Sequence, residues 1–145
     1  MKDLKGIICI IVVIAVIGFI ALGAMNKGNE FKDIKKYFND NKSEIESIKD
    51  EYIKGNEKEL PKEVESVEVI KTETDTLVYF KMKDRGEKKA NIGFYYSTIN
   101  RPSALEKRDI DIVELGGEKY KWDEADTAGI TNKIEDNWYF YKKTK

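Results

Sequence analysis

Residues 7–25 read IICIIVVIAVIGFIALGAM, nineteen positions without a charge, amide or hydroxyl. Coiled as a helix, that run is about 28 Å long, close to the hydrocarbon thickness of a bilayer. The pattern predicts a transmembrane anchor over residues 6–25, marked along its length by Ile7, Val13, Gly18, Leu22 and Met25. The rival is a cleaved signal peptide, whose apolar core runs about 7–15 residues to a small-x-small site; Ala21-Leu22-Gly23 offers one. Ala15, Gly18 and Ala21 fall three apart, and the positions at spacing four are large, so no small-xxx-small helix dimer is signalled. Lys2 and Lys5 precede the run, while Lys27, Lys32, Lys35 and Lys36 follow it. That count does not favour an inside N-terminus. A short basic tail before a long apolar run is nevertheless the form of an uncleaved signal anchor, and long C-terminal domains translocate largely regardless of charge. Residues 1–5 are therefore expected as a short cytoplasmic tail, with the domain outside.

Beyond the anchor the period becomes helical. Phe31, Ile34, Phe38, Asn41, Ile45, Ile48 and Tyr52 recur at spacings of three and four, which predicts helix over 29–54 within a juxtamembrane region of 26–60. Asn39-Asp40-Asn41-Lys42-Ser43 is a cap-and-turn cluster, and Ser43-Glu44-Ile45-Glu46 fits a capping box, so one long helix and two shorter ones both remain open. Gly55-Asn56 is the stop signal. The stripe has two uses: to lie across a sheet, or to form a short parallel coiled coil with Asn41 as a polar core position.

After Pro61 the period becomes two. Val67 and Val69 open a strand, and 76–82, 91–98, 109–115 and 119–123 are further candidates. The chain closes with a hairpin: 130–134, the turn Glu135-Asp136-Asn137, then 138–142. Short spacings favour antiparallel neighbours. The expected fold class is α+β: the helical segment packed on an antiparallel meander of about five to six strands spanning 61–145. This element order, with Lys133-Ile134-Glu135-Asp136-Asn137-Trp138-Tyr139 feeding an aromatic last strand, resembles the cystatin-like and nuclear-transport-factor-like α+β rolls. The resemblance implies a helix-on-sheet roll and brings no functional residues with it.

Composition mostly excludes. Removing the two lysines and one aspartate of residues 1–25 from the totals of 26 and 27 leaves 24 basic against 26 acidic residues. That balance argues against a nucleic-acid partner. The chain has no histidine, and its single cysteine, Cys9, lies within the anchor. Histidine-based triads, thiolate chemistry and Cys/His metal sites are thereby excluded from the domain. No phosphate-cradling glycine loop is present. Lysine far outnumbers arginine, and Ile, Asn and Glu are abundant, a composition that suggests an AT-rich bacterial genome.

Two carboxylate groups and one aromatic set are left. Asp109 and Asp111 would share a strand face and could hold a hard cation or do acid–base work. Asp123, Glu124 and Asp126 cluster without matching a calcium loop. Tyr95, Trp122, Trp138, Tyr139 and Tyr141 are the candidate binding surface, because consecutive aromatics on a strand point to both faces and one face could be exposed. The expectation is a non-enzymatic, cofactor-free binding or assembly module at the bacterial envelope, outside the cell membrane. It would contact lipid through 6–25, and a protein or cell-wall polymer through its sheet. The alternatives are a membrane-proximal helical dimer that senses or transmits a signal, and a carboxylate-based envelope enzyme.

Overall fold

Helix α1 is described from residue 30 to residue 40 and stops where Asn41 leaves helical geometry at φ −118°, ψ 16°. In this computed structural model, residues 30–83 and 91–144 are described. The anchor expected at 6–25, with Ile7, Val13, Gly18, Leu22 and Met25, lies outside them, and so from residue 84 on does Lys83-Asp84-Arg85-Gly86-Glu87, whose sequence reads as a turn. Among the described residues no helix is long and apolar enough to cross a membrane. The chain divides between residues 33 and 34: the described residues 30–33, helical, belong to one unit, and the described residues from 34 on to the other.

Asn41 divides the helical segment because its amide turns back, Nδ2–H donating to the Tyr37 carbonyl at 2.8 Å. An asparagine that satisfies the preceding turn competes with continuation of the helix. The expected capping box is not used. Helix α2, Lys42–Ile53, has Asn41 as its N-cap with no side-chain cap bond. Its far end follows the sequence signal. Gly55, at φ +87°, donates to the Tyr52 carbonyl at 3.1 Å, and Asn56 donates to the Glu51 carbonyl at 3.0 Å. This is the pair of bonds of a glycine-closed Schellman end.

Seven strands follow, all antiparallel: β1 (Val64–Lys71), β2 (Thr76–Met82), β3 (Asn91–Ser97), β4 (Val113–Gly116), β5 (Lys119–Asp123), β6 (Ala128–Glu135) and β7 (Trp138–Lys143). Their order in the sheet is β1-β2-β3-β7-β6-β5-β4. The α+β class stands, with two corrections. The sheet has seven strands, and it is two meanders joined along a β3–β7 seam, with Phe94 opposite Phe140 and Tyr95 opposite Tyr139. The segment 109–112 is irregular, so the fourth strand begins only at Val113.

Register assigns the faces. Val67, Phe80, Phe94, Phe140, Asn132 and Lys119 form one cross-strand row on the helix side. Ile34, Phe38, Ile45 and Ile48 are buried. Phe38 meets Phe94 at 5.7 Å and Trp138 at 4.9 Å between ring centroids. The helical stripe is thus consumed by its own sheet, which leaves no seam at these positions for a coiled coil. On the opposite face, Ile70, Leu77, Tyr95, Tyr139 and Tyr141 pack with Leu105 from the connection 98–112. That connection crosses the second face and gives the sheet a cover on both sides.

Candidate functional site

All five aromatics expected to form a binding surface are interior. Tyr95, Trp122, Trp138, Tyr139 and Tyr141 have relative exposures of 0, 1, 1, 2 and 0%. The correction has a physical reason. Aromatics alternate between faces along β7, and both faces are covered: Trp138 and Phe140 under the helices, Tyr139 and Tyr141 under the connection 98–112. Their polar atoms are spent on holding those covers. Trp138 Nε1–H donates to Glu46 on α2 at 2.9 Å. The Tyr139 hydroxyl donates to the Asn100 carbonyl at 2.9 Å. The backbone N–H of Ser103 donates to the Tyr95 hydroxyl at 2.9 Å. Thr131 Oγ1 gives its proton to the Phe140 carbonyl at 2.7 Å, so in the 2.8 Å contact with Tyr95 the tyrosine is the donor. Trp122 Nε1–H donates to Thr127 Oγ1 at 3.2 Å, and its indole lies over Gly129, where an added Cβ would stand 2.5 Å from the ring.

Burial is the leading cause that raises the pKa of Tyr95 and of Tyr141. Burial, followed by the Glu68 carboxylate that accepts its proton at 2.6 Å, raises Tyr79. The consequence for stability has a definite sign. Unfolded tyrosine ionises near pH 10 while the folded groups hold their protons, so the contribution is complete below pH 10 and is lost as pH rises above it. The buried Tyr95 and Tyr141 should each remove about 1.4 kcal/mol per pH unit in that range, and the half-buried Tyr79 less. Urea unfolding at pH 9 and pH 11 should show a clear fall in midpoint, and Tyr141→Phe should flatten the fall. An unchanged midpoint would show that these hydroxyls are not held protonated.

The carboxylates do not converge. Asp109 and Asp111 are exposed on the irregular lead-in to β4 and so do not share a strand face. Asp123 ends β5, and Asp126 pairs with Arg108, the guanidinium holding its carboxyl below the usual range. Glu124 lies 3.7 Å from the same arginine. Among the described residues no group of three or more metal-binding side chains could hold an ion. Asp109 does line a shallow cleft of ≈ 170 Å³ beneath the connection 98–112, along with Ile99, Arg101, Ile110 and Ile112. Leu105 holds a left-handed φ of +59° in this connection, a conformation uncommon for a bulky side chain.

What the sheet leaves uncovered lies elsewhere, on the β4–β5–β6 wing. Val113 is 52% exposed, Leu115 54% and Ile130 37%. Register sets Val113 opposite Lys121, Lys121 opposite Ile130, and Ile130 opposite Lys142, so all four share one row of the helix-side face. Lys119 stands on the same face one row over, opposite Asn132. The hairpin that presents Lys119 turns through Gly117 and Glu118 at φ +61° and +60°, the two left-handed residues of a tight two-residue loop. The sequence placed Val113 and Ile130 in two candidate strands, 109–115 and 130–134; it carried no information on whether a helix covers the face they share. The available signal was length: a helical segment ending at Gly55 cannot span seven strands. In comparisons with known proteins, no family model, no curated protein and no solved structure matches the chain.

Proposed function

We propose that the chain is a single-pass membrane protein, tethered through residues 6–25, whose α+β domain is a non-catalytic binding or assembly module on the outer face of a bacterial cytoplasmic membrane. The observation that carries the module reading is the uncovered β4–β6 wing. Val113, Leu115 and Ile130 keep large apolar surfaces in water, and among the described residues Ile99 alone joins them as an exposed large hydrophobic. Grouped apolar exposure rimmed by charge is the usual mark of a contact surface. The tether is supported by the nineteen-residue apolar run, and the outward orientation by the short Lys2/Lys5 tail before it.

Orientation is tested in a Gram-positive host expressing the chain with a C-terminal epitope. Protease added to intact protoplasts should remove the epitope while a cytoplasmic control survives. If the epitope persists until lysis, the domain faces the cytoplasm and the envelope reading fails.

A further inference from the structure

The uncovered wing is not only apolar. In the row Ile92–Lys142–Ile130–Lys121–Val113, apolar and lysine positions alternate across five neighbouring strands, and Lys119 adds a third lysine beside them. Lys119 and Lys121 are exposed and make no ion pair among the described residues. On this face the one acidic residue of β5 is Asp123, two residues beyond Lys121 and opposite Ala128, and it has an interaction of its own. Glu114 and Glu118 do not offset them. Glu114 is opposite Tyr120 and so belongs to the other face, and Glu118 approaches Lys133, which is opposite Tyr139 on that same other face. Lys119 and Lys121 therefore place positive charge without an ion-pair partner among the described residues directly beside the exposed Val113, Leu115 and Ile130.

We propose that this wing lies on the anionic lipid surface of the membrane that tethers the chain, with Val113, Leu115 and Ile130 entering the headgroup layer and the exposed Lys119 and Lys121 on the lipid phosphates. The inference rests on the tether reading and names the partner of the same face. Lysine heads on flexible stems reach past the apolar side chains beside them, and basic residues near an anionic leaflet are attracted over roughly a Debye length. A row of mixed lysine and aliphatic positions therefore matches an interface whose outer layer is phosphate and whose inner layer is acyl chain. A neutral protein groove would leave Lys119 and Lys121 desolvated without counter-charge.

The test uses the full chain with two vesicle preparations, pure phosphatidylcholine and phosphatidylcholine containing phosphatidylglycerol. Flotation reports the tether, and amine acylation read by mass spectrometry reports the wing. The expected result is flotation with both lipids. Acylation of Lys119, Lys121 and Lys142 should be several-fold slower in the anionic vesicles only, recovering in 0.5 M salt, while Lys62 and Lys71 label alike throughout. The charge-reversed variant K119E/K121E should lose the protection of Lys142. Flotation with both lipids but equal acylation overturns the docking and leaves the tether standing. Flotation only with anionic vesicles, reversed by salt, overturns the tether and supports lipid binding by the wing. Flotation with neither overturns both. Protection that grows with protein concentration and is the same in both lipids assigns the wing to a second copy of the chain and overturns the lipid proposal.

Discussion

Gly93→Ala should come close to abolishing the fold. A Cβ at this position would stand 1.9 Å from the Phe80 carbonyl oxygen, 3.0 Å from the carbonyl carbon and 3.1 Å from Tyr141 Cε1. The nearest atom belongs to the backbone of β2, so no rotamer change can relieve the contact. Phe80 cannot retreat, because it faces Val67 on β1 and Phe94 on β3, and its ring stacks on Phe94 at 4.8 Å. Gly93 is not among the residues with a positive φ, so the cost is one of space. Gly117→Ala is the matched control, with a left-handed φ of +61° and nothing within 4 Å. That variant should lose about 1 kcal/mol from backbone strain alone. Gly93→Ala should lose about 4 kcal/mol or more, a value reached only by clashes or voids that the structure cannot absorb. Against a typical total of about 5–15 kcal/mol, urea titrations followed by circular dichroism should show little or no cooperative transition. A midpoint close to that of the Gly117 variant would show that β2 and β3 can part at this point, and that the close approach is not a fixed feature of the sheet.

Gly93 also shows where the sequence stops being informative. The alternation Ile92, Phe94, Tyr96 identified a strand; a glycine inside a strand often marks a close backbone approach, but which strand approaches is a matter of long-range pairing. The same holds for the seam. Short connections suggested a meander, and every hairpin they suggested among the described residues is present: β1–β2 through Thr72-Glu73-Thr74-Asp75, β4–β5 through Gly117, β6–β7 through Asp136 and Asn137. The β3–β7 pairing joins residues 42 to 52 positions apart and leaves no local trace, because partners such as Phe94 and Phe140 lie far apart in sequence. The misplacement of the aromatic surface has a related cause. The connection 98–112 reads as polar and turn-rich, and only Ala104 and Leu105 in it are buried apolar residues. It covers Tyr95 and Tyr139 through hydrogen bonds to Asn100 and Ser103, which hydrophobic periodicity cannot register. The helix break at Asn41 was legible as a turn cluster, whereas its mechanism, an amide bonded backwards to Tyr37, required the coordinates.

Trp138→Ala should produce the largest loss among the core substitutions on the helix side. Trp138 is 1% exposed and stands where three layers meet. Its ring lies 4.9 Å from Phe38, 5.9 Å from Phe80, 6.0 Å from Phe94 and 5.3 Å from Tyr96. Removing so large a side chain from a closed site costs about 3–5 kcal/mol through lost transfer energy and the cavity left behind. A second loss follows, because the indole N–H to Glu46 bond is the link in this cluster from sheet to α2. Glu46 also accepts from Lys49 at 2.7 Å, and Lys49 sits 4.4 Å above the Tyr96 ring. Burial disfavours that ammonium, and the carboxylates of Glu46 and Asp50 more than compensate, so its pKa is raised. Glu46 is only partly buried, so water can replace the indole as its donor, and the bond should contribute about 1 kcal/mol on top of the cavity. The sum, about 4–6 kcal/mol, should move the urea midpoint of the full chain to the edge of stability, with Trp122 fluorescence reporting β5 independently of the deleted residue. Trp138→Phe separates the two terms. It refills most of the cavity and removes only the bond, and should recover more than half of the loss. If Trp138→Phe were as damaging as Trp138→Ala, the bond to Glu46 would dominate, and the helices would be fastened to the sheet by that one contact more than by the packing of their apolar stripe.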